Sequence, residues 1–314
     1  KMNFQKIAPV EKSQTLLDLA FRKARVKGKE KNLKGNWLQV IRQKEGLKLD
    51  VIKDVINPRL EKVLDDFPRI EELSPFYQEL MMLTLDRDKY KKSLATINGA
   101  IKRMRMLHKS YVSKLIKCKD REKIKELSRQ AYGRLSSVVN RIEKDLLVLE
   151  HFRRIMKDYP DIKDMFTVCI YGFPNVGKTT LLNKLTGTKA QVAKYAFTTK
   201  RINSGHLVVG GTEIQILDVP GTLARPEKMN DVELQAELVV DKLADLVIYV
   251  FDVSEYCGYS LEKQEQLFKK LGKRKKTMIY LSKTDLFEGE DLEEFKHKYN
   301  SLEEIKEKLA SLVN

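Results

Sequence analysis

Along the first half of the chain apolar residues return every three or four positions, the period of a helix with one buried face. TLLDLAFRKARV sets Leu16, Leu17, Ala20, Phe21 and Ala24 on one stripe, with Ser13 as its cap. WLQVIRQ and DVIKDVINPRLEKVLDDF continue the pattern, and Pro58 marks a break or kink there. Two long helical stretches follow, Ser74 to Cys118 and Arg121 to Lys157. At 1.5 Å rise per residue each exceeds a small domain's diameter, so the stripes must bury against one another. The expected fold of this half is an all-α antiparallel helical bundle.

Near Tyr159-Pro160 the period changes. FTVCIYG, HLVVG, TEIQILDV, DLVIYVFDV and TMIYLSK are short β-branched runs alternating with amphipathic helical patterns. That alternation predicts an α/β domain, a largely parallel sheet with flanking helices. The boundary is expected within 158–166, giving a helical domain over 1–165 and an α/β domain over 166–314.

Charge separates the halves further. Residues 1–165 hold 39 Lys+Arg against 23 Asp+Glu, and residues 166–314 hold 21 of each, so the whole net charge of +16 lies in the helical half. A basic domain of this kind suits a phosphate-rich partner, although a solvated Lys-rich surface accounts for the same numbers. IKRMRMLHK, VSKLIKCKDREK and FRKARVKGKEKNLKG interleave Lys and Arg with apolar residues such as Met104, Leu107 and Leu115. The apolar members read as core and the basic ones as an outward face for an RNA backbone. LVIYVF is too short to span a bilayer and KMNFQKIAPV lacks a signal peptide's apolar stretch, so the expectation is a soluble intracellular protein with no membrane partner. Three scattered cysteines and four scattered histidines offer no metal-ligand spacing.

The chemistry sits in GFPNVGKT, Gly172 to Thr179, which follows a predicted strand and opens a predicted helix: G-x-x-x-x-G-K-[ST] in its required context. Main-chain amides of Gly172, Phe173, Pro174, Asn175, Val176 and Gly177 wrap the phosphates, proline contributing position rather than a donor, and the helix start through Thr180 adds its own. Lys178 supplies charge to the β- and γ-phosphates, and the Thr179 hydroxyl is a Mg²⁺ ligand. LDVPG ends a strand with Asp218 placed for Mg²⁺ and Gly221 free to approach the γ-phosphate. FTT, Phe197 to Thr199, lies where a switch threonine reaches the metal. Together these describe a nucleotide switch. MIYLSKTD then ends a strand in Ser282-Lys283-Thr284-Asp285, where GTP-binding proteins carry Asn-Lys-x-Asp to read the base. Asp285 can still accept the two donors of guanine that adenine lacks.

YGFPNVGKTTLLNKL, KYAFTTKRINSGHL and LDVPGTLARPEKMN resemble the Obg-like GTPases. APVEKSQTLLDLAFRKA, SPFYQELMMLTLDRDKYKKSLATINGAIKRM and RQAYGRLSSVV narrow the resemblance to the nucleolar GTP-binding protein family and its archaeal relatives. The resemblance implies a P-loop GTPase domain preceded by an RNA- and ribosome-contacting helical domain. It implies action in large ribosomal subunit assembly with ribosomal RNA, the subunit precursor and other assembly factors as partners. The free chain is expected to be a monomer, cytoplasmic in an archaeon and nucleolar in a eukaryote. Carried over, Asn175, Gly177 and Lys178 contact phosphates, and Thr179 and Thr199 ligate Mg²⁺. Asp218 acts through a water, and Lys283 and Asp285 serve the base; Asn175 is also a candidate K⁺ ligand. Lys178, Thr199 and Gly221 are the residues expected to act on the transferred phosphate.

Four departures from that pattern shape the expectations. Ala196 replaces a proline, Ser282 replaces the asparagine, and EDLEEFKHKYNSLEEIKEKL runs from one helical pattern into another where a base-packing loop is expected. Thr222 stands where faster relatives carry a water-orienting Gln, with Arg225 as a candidate helper. Slow, ribosome-stimulated hydrolysis with modest nucleotide affinity is expected. The competing readings are a nucleotide-gated placeholder with negligible hydrolysis and a P-loop ATPase.

Overall fold

A computed structural model describes residues 4–29, 33–159, 162–163, 165–187, 191–193, 202–222, 231–272, 274–286 and 295–313. The chain divides into two units, residues 1–72 with 85–157, and residues 73–84 with 158–314.

The first unit is helical. It contains α1 (Ser13–Lys27), α2 (Trp37–Asp66), and, after α3 (Pro75–Thr84), α4 (Arg87–Lys117), α5 (Arg121–Arg141) and α6 (Glu143–Lys157). Side-chain caps start α2, α4 and α5, whereas α1 begins at Ser13 itself, after an N-cap Lys12 that makes no side-chain cap bond. Asn36 and Gln39 form a reciprocal capping box (2.9 and 2.8 Å), while Asp86 accepts from the Lys89 amide (3.0 Å) and Asp120 from the Lys123 amide (2.9 Å). α2 and α4 run antiparallel, because Arg42 reaches the Cys118 carbonyl (2.7 Å) while Asp50 meets His108 (2.6 Å). Ile52, Ile56 and Leu60 of α2 and Ile97, Met104 and Tyr111 of α4 are buried within the unit.

Three expectations about these helices need correction. Of the break or kink expected at Pro58, the break is absent: α2 runs on to Asp66 with the proline inside it. The buried stripe of Ile52, Val55, Ile56 and Leu60 outweighs one lost ladder bond, and the Arg59 guanidinium caps the Val55 carbonyl (3.0 Å). The stretch 74–118 is two helices, because Asp86 ends one and caps the next; α3 belongs to the second unit. The stretch 121–157 is likewise interrupted at buried Ile142.

The second unit holds a six-stranded sheet in the order β2-β3-β4-β1-β5-β6, from β1 (Thr167–Tyr171), β2 (Gln191–Ala193), β3 (Ile202–Val209), β4 (Thr212–Asp218), β5 (Leu246–Asp252) and β6 (Thr277–Ser282). β4, β1, β5 and β6 are mutually parallel, and β2-β3-β4 is antiparallel. Helices α7 (Lys178–Thr186), α8 (Asp231–Leu243), α9 (Leu261–Gly272) and α10 (Leu302–Val313) accompany it. β5 is buried along its whole length, as its unbroken apolar run LVIYVFD requires of a central parallel strand. The four parallel strands end at Tyr171, Asp218, Asp252 and Ser282, and ligands of open α/β sheets bind outside those carboxyl ends. Residues 295–299 are not helical, against the sequence pattern; the Asn300 amide instead bonds the Ile279 carbonyl of β6 (2.9 Å).

Candidate nucleotide site

Gly172 leaves β1 with φ +150°, and a side chain there would lie 2.8 Å from the Val250 carbonyl oxygen. Asn175 (φ +61°) and Gly177 (φ +90°) then turn the chain back into α7. Asparagine is among the few residues that tolerate this left-handed region. No side chain caps α7, so its first amides face outward as an anion cradle. Phe173 and Val176 point inward (2 and 0 % exposed), so only their main chains can serve a ligand. Asn175, Thr179 and Thr180 are exposed.

Lys178 is buried, and its ammonium donates to the Phe173 carbonyl (2.7 Å) and the Gly172 carbonyl (3.3 Å). These dipoles fix the head over the loop without cancelling its charge. Thr179 donates its hydroxyl to Asp218 Oδ2, which also accepts from the Asn203 amide (2.9 Å). Asp218 is buried, and among the described residues no Lys or Arg pairs with it. A buried carboxylate without a cation, touching a hydroxyl beside the phosphate cradle, is a hard-oxygen donor set that fits Mg²⁺.

Gly221 closes the other wall. A Cβ there would come within 2.4 Å of the Pro174 nitrogen, so only glycine allows the two loops to meet. Thr222 turns inward: it is 1 % exposed and donates to the Tyr171 hydroxyl at 2.7 Å. Burial pushes the Tyr171 phenol up to about 12, so it stays protonated.

At the base end Ser282 is buried, 3.4 Å from where a Gly177 side chain would begin, and donates to the Phe251 carbonyl (3.1 Å). Lys283 has φ +55° and pairs with Asp252 at 2.6 Å. Asp252 is fully buried and also accepts the Cys257 amide (2.7 Å), the Ser254 amide (3.1 Å) and the Ser254 hydroxyl. Burial alone would raise its pKa; Lys283, the Ser254 hydroxyl and the Cys257 amide together bring it below the usual range. Asp285 lies in a short helical turn, exposed, and its carboxylate has no partner among the described residues.

The structure thus brings Gly172 to Thr180, Asp218 and Gly221 together, with Ser282 directly beneath Gly177. Thr199, Phe197, Ala196 and Arg225 lie outside the described residues. Asn203, Asp252 and Tyr171 were not singled out by motif. Sheet register is the signal for two of them, pairing Asn203 with Asp218 and Asp252 with Ser282, and the contact of Tyr171 with Thr222 has no sequence signal.

Strand, phosphate loop, helix and acidic strand end define a P-loop GTPase domain preceded by a helical domain. Residues 167–283 match the family described as 50S ribosome-binding GTPase, and residues 4–163 match the NOG1 N-terminal helical domain. The chain is 35 % identical to nucleolar GTP-binding protein 1 of Drosophila melanogaster over 93 % of its length and 46 % of that protein's. It is 37 % identical to an uncharacterized protein of Methanocaldococcus jannaschii, covering 81 % of this chain and 72 % of that one. Among solved structures, the G domain of the T. maritima FeoB iron transporter is 33 % identical, covering 38 % of this chain and 74 % of that one, with a TM-score of 0.33. The chain belongs to the nucleolar GTP-binding protein 1 family, and it spans about half the length of that family's Drosophila member. The GTPase match sets aside the ATPase reading.

Proposed function

We propose that this chain is a slow GTPase switch in large ribosomal subunit assembly, with its basic helical domain on ribosomal RNA. The observation that carries the nucleotide half is the contact of Thr179 with buried Asp218 beside the carbonyl-anchored Lys178. The RNA half is supported by the charge excess of residues 1–165 and by the family description of a ribosome-binding GTPase.

In this reading the loop amides and Lys178 hold the β- and γ-phosphates. Thr179, Asp218 and Thr199 would hold Mg²⁺, which would neutralise the charge of the phosphates. The Gly221 amide positions the γ-phosphate, and its closeness to Pro174 keeps both walls in register. Asp285 accepts the two guanine donors, and an adenine base would leave that carboxylate unpaired. Lys283 lies along the base. Asn175, exposed with a left-handed backbone, can offer its side-chain oxygen to K⁺; turnover unchanged on replacing K⁺ by Na⁺ would remove that role.

Slowness follows from Thr222. Its hydroxyl is spent on Tyr171 in the interior, so it cannot orient an attacking water as a Gln would. Stimulation then comes from the ribosomal particle. The same observation favours the second reading, a nucleotide-gated placeholder that scarcely hydrolyses. The cellular site follows the source: cytoplasm in an archaeon, nucleolus in a eukaryote.

Single-turnover hydrolysis with and without purified large subunits, alongside co-sedimentation with GTP analogue, GDP or neither, tests the proposal. Faster hydrolysis on the particle and nucleotide-dependent pelleting support the switch. Pelleting without hydrolysis supports the placeholder, and absence of guanine-nucleotide binding sinks both.

A further inference from the structure

α3 is encoded between two segments of the helical unit, yet it packs on α8, the first helix after the Gly221 turn among the described residues. Lys242 of α8 pairs with Glu79 of α3 at 2.6 Å. Between the two helices runs a groove of about 280 Å³. Its lining includes Met82, Leu83 and Leu234, which are 49, 47 and 38 % exposed, a cluster of large apolar side chains open to water. Glu79, Glu237 and Asp241 line the same groove.

Charge identifies the occupant. α3 and α8 together contain five acidic residues and one basic one, in a chain of net charge +16. Lys242 answers Glu79, and Arg274 stands 3.9 Å from Asp241, but Glu237 has no ion pair among the described residues. Carboxylates beside exposed apolar side chains repel a phosphate backbone and attract a cation that also carries aliphatic side chains. A groove between two helices has room for about two or three aliphatic side chains, the anchors a helix presents at i, i+3 and i+4. We propose that the α3–α8 groove is a docking site for a cationic amphipathic helix of a protein partner. None of the groove's lining residues belongs to the nucleotide site.

The test uses the full 314-residue chain loaded with GDP and a fluorescein-labelled 18-residue peptide, Leu on one helical stripe and Lys elsewhere. The chain repels such a peptide overall, so binding reports the local acidic groove. Fluorescence anisotropy is expected to show saturable binding that weakens at least tenfold in Leu83→Lys and in Glu237→Lys. Val208→Lys, an exposed position in the β3–β4 hairpin, is expected to leave it unchanged. A peptide of the same composition with its leucines off the stripe is expected to bind at least tenfold more weakly. Equal binding by that scrambled peptide, or no effect of both groove variants while GDP affinity and melting temperature stay normal, would overturn the proposal. So would concentration-dependent dimerisation of the chain that Leu83→Lys abolishes, since a second copy would then be the occupant.

Discussion

Asp252 and Lys283 face each other across the ends of β5 and β6, carboxylate to ammonium at 2.6 Å, with the carboxylate wholly buried. Lys283, the lysine proposed to serve the base, is thereby tied to β5 while its own backbone sits in the left-handed region. The same carboxylate ties down the Ser254–Cys257 loop through two amides. Where relatives place an Asn amide as a brace, this chain has Ser282, whose hydroxyl is used on the neighbouring strand. Asp252 is thus the group that holds Lys283 and the Ser254–Cys257 loop together.

Every group that meets the Asp252 carboxylate donates to it, so Asp252→Asn would aim an amide N–H at other donors. Affinity for GTP and GDP is expected to fall together by about 10–100-fold, the scale of one mispaired charged hydrogen bond. The single-turnover rate at saturating GTP is expected to change little, because the phosphate end is untouched. Equilibrium titration of fluorescent GTP and GDP, paired with rapid quench, checks both halves. Unchanged affinities would remove the positioning role.

Thr222→Val separates structure from chemistry at the residue after Gly221. It leaves the buried Tyr171 hydroxyl without its donor, at a cost of about 1–3 kcal/mol in unfolding free energy. The bound hydrolysis rate is expected to stay within about threefold, because Thr222 faces the interior and not the water; a lost oxyanion-type contact would cost about a hundredfold. Denaturant unfolding and single-turnover kinetics on the same preparation decide the matter. A hundredfold slower hydrolysis would show that Thr222 turns toward the nucleotide.

The phosphate loop was legible because its parts are contiguous: Gly172 to Thr179 must be glycine-rich, then basic, then hydroxylic, all within one turn of chain. Gly221 was legible for a related reason, since a glycine after Asp218 announces close approach, and the approach is to Pro174. Asp252, Asn203 and Tyr171 were not, because the partners that matter, Lys283, Asp218 and Thr222, are distant in sequence and only the fold brings them together. Among the helices, periodicity found the buried stripes but not their ends. Apolar spacing runs through Thr84, Leu85 and Asp86 without a pause, and only the Asp86 cap on the Lys89 amide divides α3 from α4. Nor can a stripe name its counterpart. Phe76, Leu80 and Met81 say that α3 is buried, not that it packs on a helix about 150 residues further on.

Acid should loosen the N-terminal segment through Glu150. This half-turn clamp on α6 accepts from Arg153 (2.8 and 2.9 Å), from Arg154 (2.9 Å) and from the Val10 amide (3.0 Å). The Arg153 bond foremost brings its pKa from the ordinary 4.5 to about 2, against the opposing effect of burial. A depressed folded-state pKa means the stabilisation is complete above the unfolded value and is lost as pH falls from about 5 toward 2. Glu150→Gln is expected to destabilise at pH 7 by about 1–3 kcal/mol and to flatten the stability profile below pH 5. Thermal melts of both proteins from pH 7 to pH 3 measure this, and parallel profiles would refute it.

Gly221→Ala tests whether the approach of the two phosphate walls is what hydrolysis needs. The added methyl would lie 2.4 Å from the Pro174 nitrogen and 2.7 Å from its Cα, both backbone atoms that cannot swing aside. One wall must retreat, and the Gly221 amide retreats with it from the γ-phosphate position. The proposed base contacts at Asp285 and Lys283 and the ammonium of Lys178 are left in place, so GDP affinity is expected to stay within about threefold. Hydrolysis should fall by about a hundredfold, since misplacing a preorganised donor by an ångström costs on that order. GTP affinity should fall further than GDP affinity, because only the triphosphate reaches the displaced amide. Matched titrations of GDP and a GTP analogue with single-turnover hydrolysis give all three quantities. A variant that hydrolyses normally would mean that the Gly221 wall is a packing feature and that the γ-phosphate is held elsewhere.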